Sequence, residues 1–299
     1  MSDSSQLSVS GLTHSFGDRR VLDDVTFDVR PGRLTGFVGA NGAGKTTTMR
    51  SIVGVLKPDA GTVTFGGEPL SLAVRRRIGY MPEERGLYPK MKVHEQLVFL
   101  GRVLGVDRDV AATRATALLK DFGLGDRADD VLHTLSLGNQ QRVQVAAALI
   151  HEPRILVLDE PFSGLDPIAM DTMAARLQES AAQGVPVLFS SHQLELVEKL
   201  CDDLVLINRG AVVAAGDAAA LQEERAGRRY RVQVAAAPEW TPAGAGFEVA
   251  SRDARGVLVD LDETADTQDL LAQAQRAGAV EHFGRVVPTL AELFQEVAR

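Results

Sequence analysis

The residues best suited to chemistry form a glycine-rich segment, GANGAGKT, at positions 39–46. Glycines let consecutive backbone N–H groups turn toward an anion, and a helix that follows adds the positive end of its dipole. The segment fits the phosphate-loop pattern, in which Lys45 reaches the β- and γ-phosphates and the Thr46 hydroxyl ligates Mg²⁺. We therefore predict an ATP site formed by Gly39, Asn41, Gly42, Ala43, Gly44, Lys45, Thr46 and Thr47.

Two adjacent carboxylates follow an apolar run farther along the chain. The run Ile155–Leu158 predicts a buried strand that ends at Asp159 and Glu160. Asp159 is expected to bind the metal, and Glu160 to polarise the attacking water. Acids at strand ends also cap helices, but a pair downstream of a phosphate loop favours metal-dependent hydrolysis.

Strand and helix patterns surround both segments. Residues 33–38 predict a short buried strand before the glycine-rich segment, and residues 46–55 predict a helix after it. The first thirty residues alternate as strands do, residues 86–150 have helical periodicity, and strand patterns return at 185–190 and 204–207. Strand sets on either side of a helical insertion predict an α/β core that carries a helical lobe.

The pattern changes again toward the end of the chain. Residues 230–234 and 257–261 alternate as strands, and Thr289 with Glu292 forms a capping box. One helical stripe follows, made of Leu290, Leu293, Phe294 and Val297. We predict a cassette over residues 1–225, with a helical lobe at about 86–150, and a small α+β domain over residues 226–299.

Composition excludes several classes of protein. The chain has 299 residues, 45% of them hydrophobic, and a net charge of −8. No run approaches the roughly 18–20 apolar residues of a membrane span, and no signal-peptide pattern opens the sequence, so we expect a cytoplasmic protein. Cys201, the one cysteine, excludes an internal disulfide and a cysteine-cluster metal site. The negative charge argues against a nucleic-acid partner.

A third motif points to a family. LSLGNQQ, residues 135–141, resembles the signature sequence, usually LSGGQ, of the nucleotide-binding subunits of ATP-binding cassette (ABC) transporters. His192 matches the switch histidine of that family, and SGLD at 163–166 matches its loop between the catalytic acid and the dimer interface. The resemblance covers about residues 6–220. It implies a P-loop NTPase cassette with a RecA-like core, an N-terminal antiparallel β-subdomain and a helical lobe.

The resemblance also implies roles for individual residues. Glu160 and His192 would be catalytic, and Phe16 would stack on adenine. Ser136 and Gly138 would bind the γ-phosphate of an ATP held by a second subunit, with Asp166 in the adjoining loop. Ser136 could equally be a plain helix cap. With one phosphate loop and one signature in the sequence, two chains would enclose two ATP molecules.

The sequence departs from the family pattern at three positions. Glu83 stands where glutamine is usual, and Leu137 and Asn139 replace a glycine and a glutamine of the signature. Glu83 could ligate the same Mg²⁺ as Thr46 and Asp159, or be an exposed loop acid. The surrounding PEERGLYP run, residues 82–89, resembles a branch of bacterial export ATPases similar to sodium-efflux systems.

The resemblance therefore implies an ATP-hydrolysing transporter subunit of the export type. It would power a separate membrane permease at the inner face of the cell membrane, as a homodimer or as a heterodimer with a related cassette. Two alternatives remain. One is a nucleotide-responsive regulatory module with low turnover, and the other is a soluble cassette ATPase that acts on the ribosome or DNA.

Overall fold

A computed structural model describes residues 5–84, 86–235, 237, 239–287, 289–290 and 292, with the side chain of Arg225 outside the description. The chain divides into two compact units, the first ending at Ala218 and the second beginning at Ala219. The expected boundary after residue 225 stays a prediction, and each unit is described by itself.

The first unit alternates strands and helices. Its elements in chain order are β1 (Leu7–Phe16), β2 (Arg19–Val29), β3 (Leu34–Val38), α1 (Lys45–Val53), β4 (Ala60–Phe65), β5 (Glu68–Pro69), α2 (Leu72–Arg75), β6 (Ile78–Met81), α3 (Val93–Val103), α4 (Arg108–Asp121), α5 (Leu137–Leu149), β7 (Ile155–Leu158), α6 (Pro167–Ala182), β8 (Val187–Ser191), α7 (Leu194–Leu200), β9 (Asp203–Asn208) and β10 (Ala211–Asp217).

An antiparallel sheet opens the first unit. Its described strands lie in the order β2-β1-β4-β5. The inward residues of β1, such as Leu7, Val9 and Leu12, are at most 1% exposed. They pack with Phe37 of β3 and Met49 of α1 in one core. This sheet therefore rests on the elements that flank the glycine-rich segment.

A second sheet carries the chemical motifs at one edge. Its described strands lie in the order β10-β9-β3-β8-β7-β6, and all neighbours are parallel except the β9–β10 pair. Strands β3, β7 and β8 are wholly buried, as their continuous apolar runs predicted. Because parallel strands end at the same edge, the segments that follow β3, β7 and β8 meet there.

The helical insertion consists of α3, α4 and α5. Helices α3 and α4 pack on each other, and α5 also contacts β6 of the parallel sheet. The buried faces of α3 and α4 include Val93, Leu97, Ala111 and Ala115, each fully buried. The predicted cassette fold, with its antiparallel subdomain and helical lobe, is confirmed. In the described part of the chain, no helix is both long and apolar enough to cross a membrane.

The second unit is a sheet covered by a helix. It begins within α8 (Ala218–Arg225) and further comprises β11 (Arg229–Val234), β12 (Phe247–Asp253), β13 (Gly256–Leu261), α9 (Thr267–Ala277) and β14 (Val280–Arg285). Its described strands form an antiparallel sheet in the order β12-β13-β11-β14. Leu270 and Ala274 of α9 lie in a core with Val232 and Val259. The predicted α+β fold is confirmed.

Some details of the second unit differ from the sequence analysis. Two of its strands were foreseen, but β12, α9 and β14 were not. Most residues of β12 and β14 are not buried, so neither strand alternates as a half-buried strand does. Helix α9 is amphipathic, and the sequence analysis overlooked its pattern. The capping box is present, since Glu292 N–H lies 3.3 Å from Thr289 Oγ1 and Thr289 N–H lies 2.8 Å from Glu292 Oε2. Leu290 is fully buried. The rest of the expected stripe, Leu293, Phe294 and Val297, lies outside the described residues.

A buried histidine makes the stability of the first unit depend on pH. His151, 5% exposed, follows α5, and burial lowers its pKa to about 4, with Arg77 and Arg114 adding to the shift. Because the unfolded chain keeps the ordinary value near 6.5, it binds the proton first as the pH falls. Between pH 6.5 and about 4 the folded state therefore loses up to about 3 kcal/mol relative to a His151→Leu variant. Urea unfolding at pH 7.5, 5.5 and 4.5 measures this difference, and the same difference at all three pH values would contradict it.

Candidate functional site

The glycine-rich segment forms a tight turn between β3 and α1. A Cβ added at Gly39 would lie 2.5 Å from the Ile207 carbonyl oxygen, and one at Gly44, where φ is +111°, would lie 2.8 Å from Leu22 Cδ2. Only glycine fits either position. Helix α1 begins without a side-chain cap and without an acid in its first turn. Its first N–H groups are therefore left for an anion.

Lys45 lies over this turn. It is 7% exposed, and its Nζ donates to the Gly39 carbonyl at 2.7 Å and lies 3.4 Å from the Ala40 carbonyl. An ammonium group has three donors and needs acceptors when it is buried. The loop carbonyls supply these acceptors, and phosphate oxygens brought to the same turn would be stronger ones.

Asp159 directly follows β7. One of its carboxylate oxygens is hydrogen-bonded and the other is free. The side chain is 1% exposed, Oδ1 accepts from Ser190 Oγ at 2.6 Å, and Oδ2 is buried without a hydrogen-bond partner among the described residues. Such an oxygen fits a hard cation. The described residues contain no group of three or more His, Cys, Asp or Glu that could hold a metal. A single free carboxylate oxygen still suits Mg²⁺, which commonly binds one or two protein oxygens together with phosphates and water.

Glu160 adopts a backbone conformation that is rare for a side chain of its kind, with φ at +52°. Its N–H donates to Ser190 Oγ at 2.8 Å, and its carbonyl accepts from Gln141 Nε2 at 2.8 Å. Its carboxylate Oε2 lies 2.9 Å from Nδ1 of His192. The Glu160 side chain is 12% exposed and that of His192 is 55% exposed. The turn thus fixes one carboxylate while its histidine partner faces outward.

Two adjoining clefts hold most of the predicted residues. The first has a volume of about 340 Å³ and is lined by Arg19, Val21, Asn41, Gly42, Gly44, Lys45, Thr46, Thr47, Glu83, Asp159 and Glu160. The second has a volume of about 290 Å³ and is lined by Asn41, Glu83, Leu137, Gln141, Glu160, Ser163, Gly164 and His192. Glu83 and Glu160 line both clefts. The first cleft therefore gathers two cations, two hydroxyls and three acids where a triphosphate and its metal would fit.

Two of the predicted signature residues, Ser136 and Gly138, line neither cleft, whereas Leu137 and Gln141 of the same motif line the second. Ser136 is exposed and caps α5, with its Oγ 3.4 Å from the Asn139 N–H. Gly138 packs so closely on the following loop that a Cβ there would lie 3.0 Å from the Gly164 carbonyl oxygen. Asp166 caps α6, because its Oδ1 accepts from the Ala169 N–H at 2.9 Å. The helix-cap interpretation of Ser136 is therefore realised, and its binding role stays a prediction.

Phe16 lies at the end of β1 and is 55% exposed. The His14 ring meets it edge to face, with centroids 4.7 Å apart. Asp59 fastens this strand end, since its carboxylate accepts from the Ser15 N–H at 2.8 Å and lies 3.3 Å from His14 Nδ1. The exposed ring is available to an aromatic base, although Phe16 lines neither cleft.

Sequence reasoning missed the residues that support the site. Ser190 lies at the end of β8 and is fully buried, and a polar residue that closes an apolar strand was its only signal. Arg19 and Val21 come from β2 and line the first cleft. Gln141 and Gln144 of α5 were visible only as polar residues on an otherwise apolar helix face.

The comparisons agree with this geometry. The sequence pattern of the family described as "ABC transporter" matches residues 22–163, and that of "ATP-binding protein DrrA1-3-like, C-terminal domain" matches residues 216–298. The ABC transporter ATP-binding protein YhaQ of Bacillus subtilis (strain 168) is 34% identical over 97% of this chain and 97% of its own. The Nod factor export ATP-binding protein I of Ralstonia nicotianae is 39% identical over 70% of this chain and 66% of its own.

Solved structures give the same assignment. A structure described as the ATP-binding subunit of an ABC transporter superposes with a TM-score of 0.68 and 33% sequence identity, over 73% of this chain and 92% of its own. This shared fold and the near full-length match to YhaQ agree with the assignment that the phosphate loop, the Asp159–Glu160 pair and the signature indicate. The chain thus belongs to the ATP-binding proteins of ABC transporters, a family of ATPases.

Proposed function

We propose that this ATPase hydrolyses Mg²⁺-ATP in the first cleft and thereby drives a separate membrane permease of the export type, acting as a pair of chains. The observation that carries the chemistry is the carboxylate of Glu160, held 2.9 Å from His192 at a cleft that Lys45, Thr46 and Asp159 also line. In-line attack of water on a phosphate needs positioning and charge stabilisation more than covalent chemistry. These residues supply both.

Binding begins at the glycine-rich turn. Backbone N–H groups and the uncapped start of α1 attract the triphosphate, and Lys45 exchanges two loop carbonyls for phosphate oxygens. Thr46 and the free Oδ2 of Asp159 would hold the metal, with Glu83 as a further oxygen donor. A Mg²⁺ ion held there would supply positive charge against the phosphates. Phe16 stacks on the base at the end of β1.

Glu160 then prepares the water. A carboxylate beside the γ-phosphate orients a water molecule and accepts its proton. The hydrogen bonds from Gln141 and to Ser190 keep the backbone of Glu160 in place, so its carboxylate does not have to reorganise. His192, mostly exposed, presents its other ring nitrogen toward the γ-phosphate while Nδ1 faces Glu160.

The exposed signature supports pairing of two chains. Ser136 and Gly138 line neither cleft of their own chain, and the neighbouring Leu137 is 60% exposed. A second copy, or a related cassette, would bring its nucleotide to Ser136 and bury Leu137 at the same time. Each γ-phosphate would then bridge two chains, and hydrolysis would remove the bridge.

Relatives supply the argument for transport. The Nod factor relative is named for export, and the family consists of transporter subunits. A permease on another chain would provide the pathway, and the protein would act at the inner face of the cell membrane. We propose the loop after β6 and the helical lobe as the contact with that permease, and the residues after about 225 as a regulatory or interface domain.

Loss of the Glu160 charge should separate binding from hydrolysis. In Glu160→Gln the amide keeps the size of the side chain but cannot accept a proton from water, so steady ATP turnover should fall by about 100-fold or more. Affinity for ATP should stay within about twofold, because the glycine-rich turn is untouched. Phosphate release and equilibrium binding measure the two quantities. Unchanged turnover would remove Glu160 from catalysis.

Pairing of chains can be tested without losing the helix cap. Asp caps a helix as well as Ser does, but it places a negative charge opposite the γ-phosphate. In the Glu160→Gln background, Ser136→Asp should abolish the ATP-dependent dimer on size exclusion, whereas the neutral cap Ser136→Asn should retain most of it. If both variants dimerise as the parent does, Ser136 is a cap alone.

The transport proposal is tested by co-purification. Co-expressed with a candidate permease, the tagged chain should be recovered in detergent as a complex whose ATPase rate differs from that of the chain alone. Lys45→Ala should still form the complex but without turnover, since Lys45 lies away from the proposed contact. A chain that never associates with membranes or with this partner would contradict the transport role.

A further inference from the structure

Helix α5 contacts, through one face, the backbone at or beside two of the three acids of the site, Glu160 and Glu83. Gln141 and Gln144 are three residues apart, so their side chains project from the same side of the helix. They are 8% and 3% exposed. Each donates its amide hydrogen to backbone carbonyls outside the helix, and those carbonyls belong to segments that carry Glu160 and Glu83.

The Gln141 contact fixes the turn at Glu160. Its Nε2 donates to the Glu160 carbonyl at 2.8 Å, while the N–H of the same residue is held by Ser190 Oγ at 2.8 Å. A residue with positive φ keeps that conformation only where its surroundings enforce it. Of the two side chains that do so, Ser190 belongs to the sheet and Gln141 to the helical lobe.

The Gln144 contact fixes the loop after β6. Its Nε2 donates to the Pro82 carbonyl at 2.7 Å and lies 3.4 Å from the Glu84 carbonyl, so it holds the chain on both sides of Glu83. The far end of the loop is held by α3, because Gln96 Oε1 accepts from the Tyr88 N–H at 3.3 Å. The side chain of Glu83 itself is exposed and lines both clefts.

Packing alone does not account for Gln144. Its Oε1 is buried without a hydrogen-bond partner among the described residues. A buried amide with an unused acceptor is destabilising relative to an apolar side chain of the same size. The contribution of the amide is therefore its N–H donor, which neither Leu nor Met has.

We infer that Gln141 and Gln144 are positioning residues through which the helical lobe sets the two acids of its own chain, Gln141 acting on Glu160 and Gln144 on Glu83. The inference rests on the proposed roles of those two acids. A rigid helix that moves as one body would shift both contacts together. Any displacement of the lobe would then change water activation and metal binding at once.

The test separates the two contacts in the full-length chain. Gln141→Met should lower kcat by about fivefold or more, because the loss of one hydrogen bond has an effect of that size. The Mg²⁺ concentration for half-maximal activity should not change. Gln144→Met should raise that Mg²⁺ concentration by about fivefold and affect kcat less. Affinity for a fluorescent ATP analogue, measured without Mg²⁺, should be unchanged in both.

Two comparison variants complete the design. Gln140→Met removes an amide of the same helix that donates to the Leu135 carbonyl at 2.8 Å, and its Mg²⁺ titration should match the wild type. Glu83→Ala should shift the titration at least as far as Gln144→Met. Circular dichroism and thermal unfolding check that each variant folds. If the Met variant at Gln141 or Gln144 does not fold, the Leu variant at the same position takes its place.

The outcomes distinguish the inference from the function beneath it. If Glu83→Ala shifts the titration and Gln144→Met does not, the Gln144 contact is only structural and the metal role of Glu83 stands. If neither shifts it, the metal role of Glu83 is wrong and this half of the inference falls with it. Equal losses of kcat and Mg²⁺ affinity in both glutamine variants would overturn the division between them.

Discussion

The site depends on a single unfavourable turn, the positive φ of Glu160 at the end of β7. Such a conformation persists only when neighbouring groups compensate for its cost. Here the N–H and the carbonyl of Glu160 are each bonded to a side chain, Ser190 from the adjacent strand and Gln141 from the helical lobe. The same Ser190 hydroxyl donates to Asp159. One buried hydroxyl thereby fixes the relative positions of the predicted metal ligand and the predicted base.

The charged groups of the site suit a ligand that carries both positive and negative charge. Asp159, Glu160 and Glu83 line the first cleft with Lys45 and the uncapped start of α1. Three acids together would repel one another and a triphosphate, whereas a divalent cation bound with the nucleotide offsets both repulsions. The free oxygen of Asp159 and the folded-back ammonium of Lys45 are the two groups whose hydrogen bonding such a ligand would complete.

In the second unit, unlike the site, oppositely charged side chains pair with one another on the sheet. Its exposed sheet face pairs charges across strands, as in the bidentate Arg229–Asp260 contact and in the donation from Arg231 Nη1 to both Asp253 oxygens. Its other face packs on α9. The hydrogen bond from Arg231 and the charges around Asp253 lower the pKa of that carboxyl. Neighbouring opposite charges thus satisfy one another, which suits a solvated surface.

The sequence by itself determined the phosphate loop and the Asp159–Glu160 pair, because backbone geometry and strand burial restrict which residues can occupy those positions. The glycines at 39 and 44 are examples, since nothing larger fits. The signature and the cassette fold were available from the sequence through its resemblance to a known family. Only the tertiary structure decided how the site is held. Ser190, Gln141 and Gln144 act through hydrogen bonds to backbone atoms that are distant in sequence, and a carbonyl acceptor leaves no mark on the residue that carries it. The polar strands of the second unit were missed for a related reason: their pairing is fixed by partners across the sheet, and local periodicity does not encode that choice.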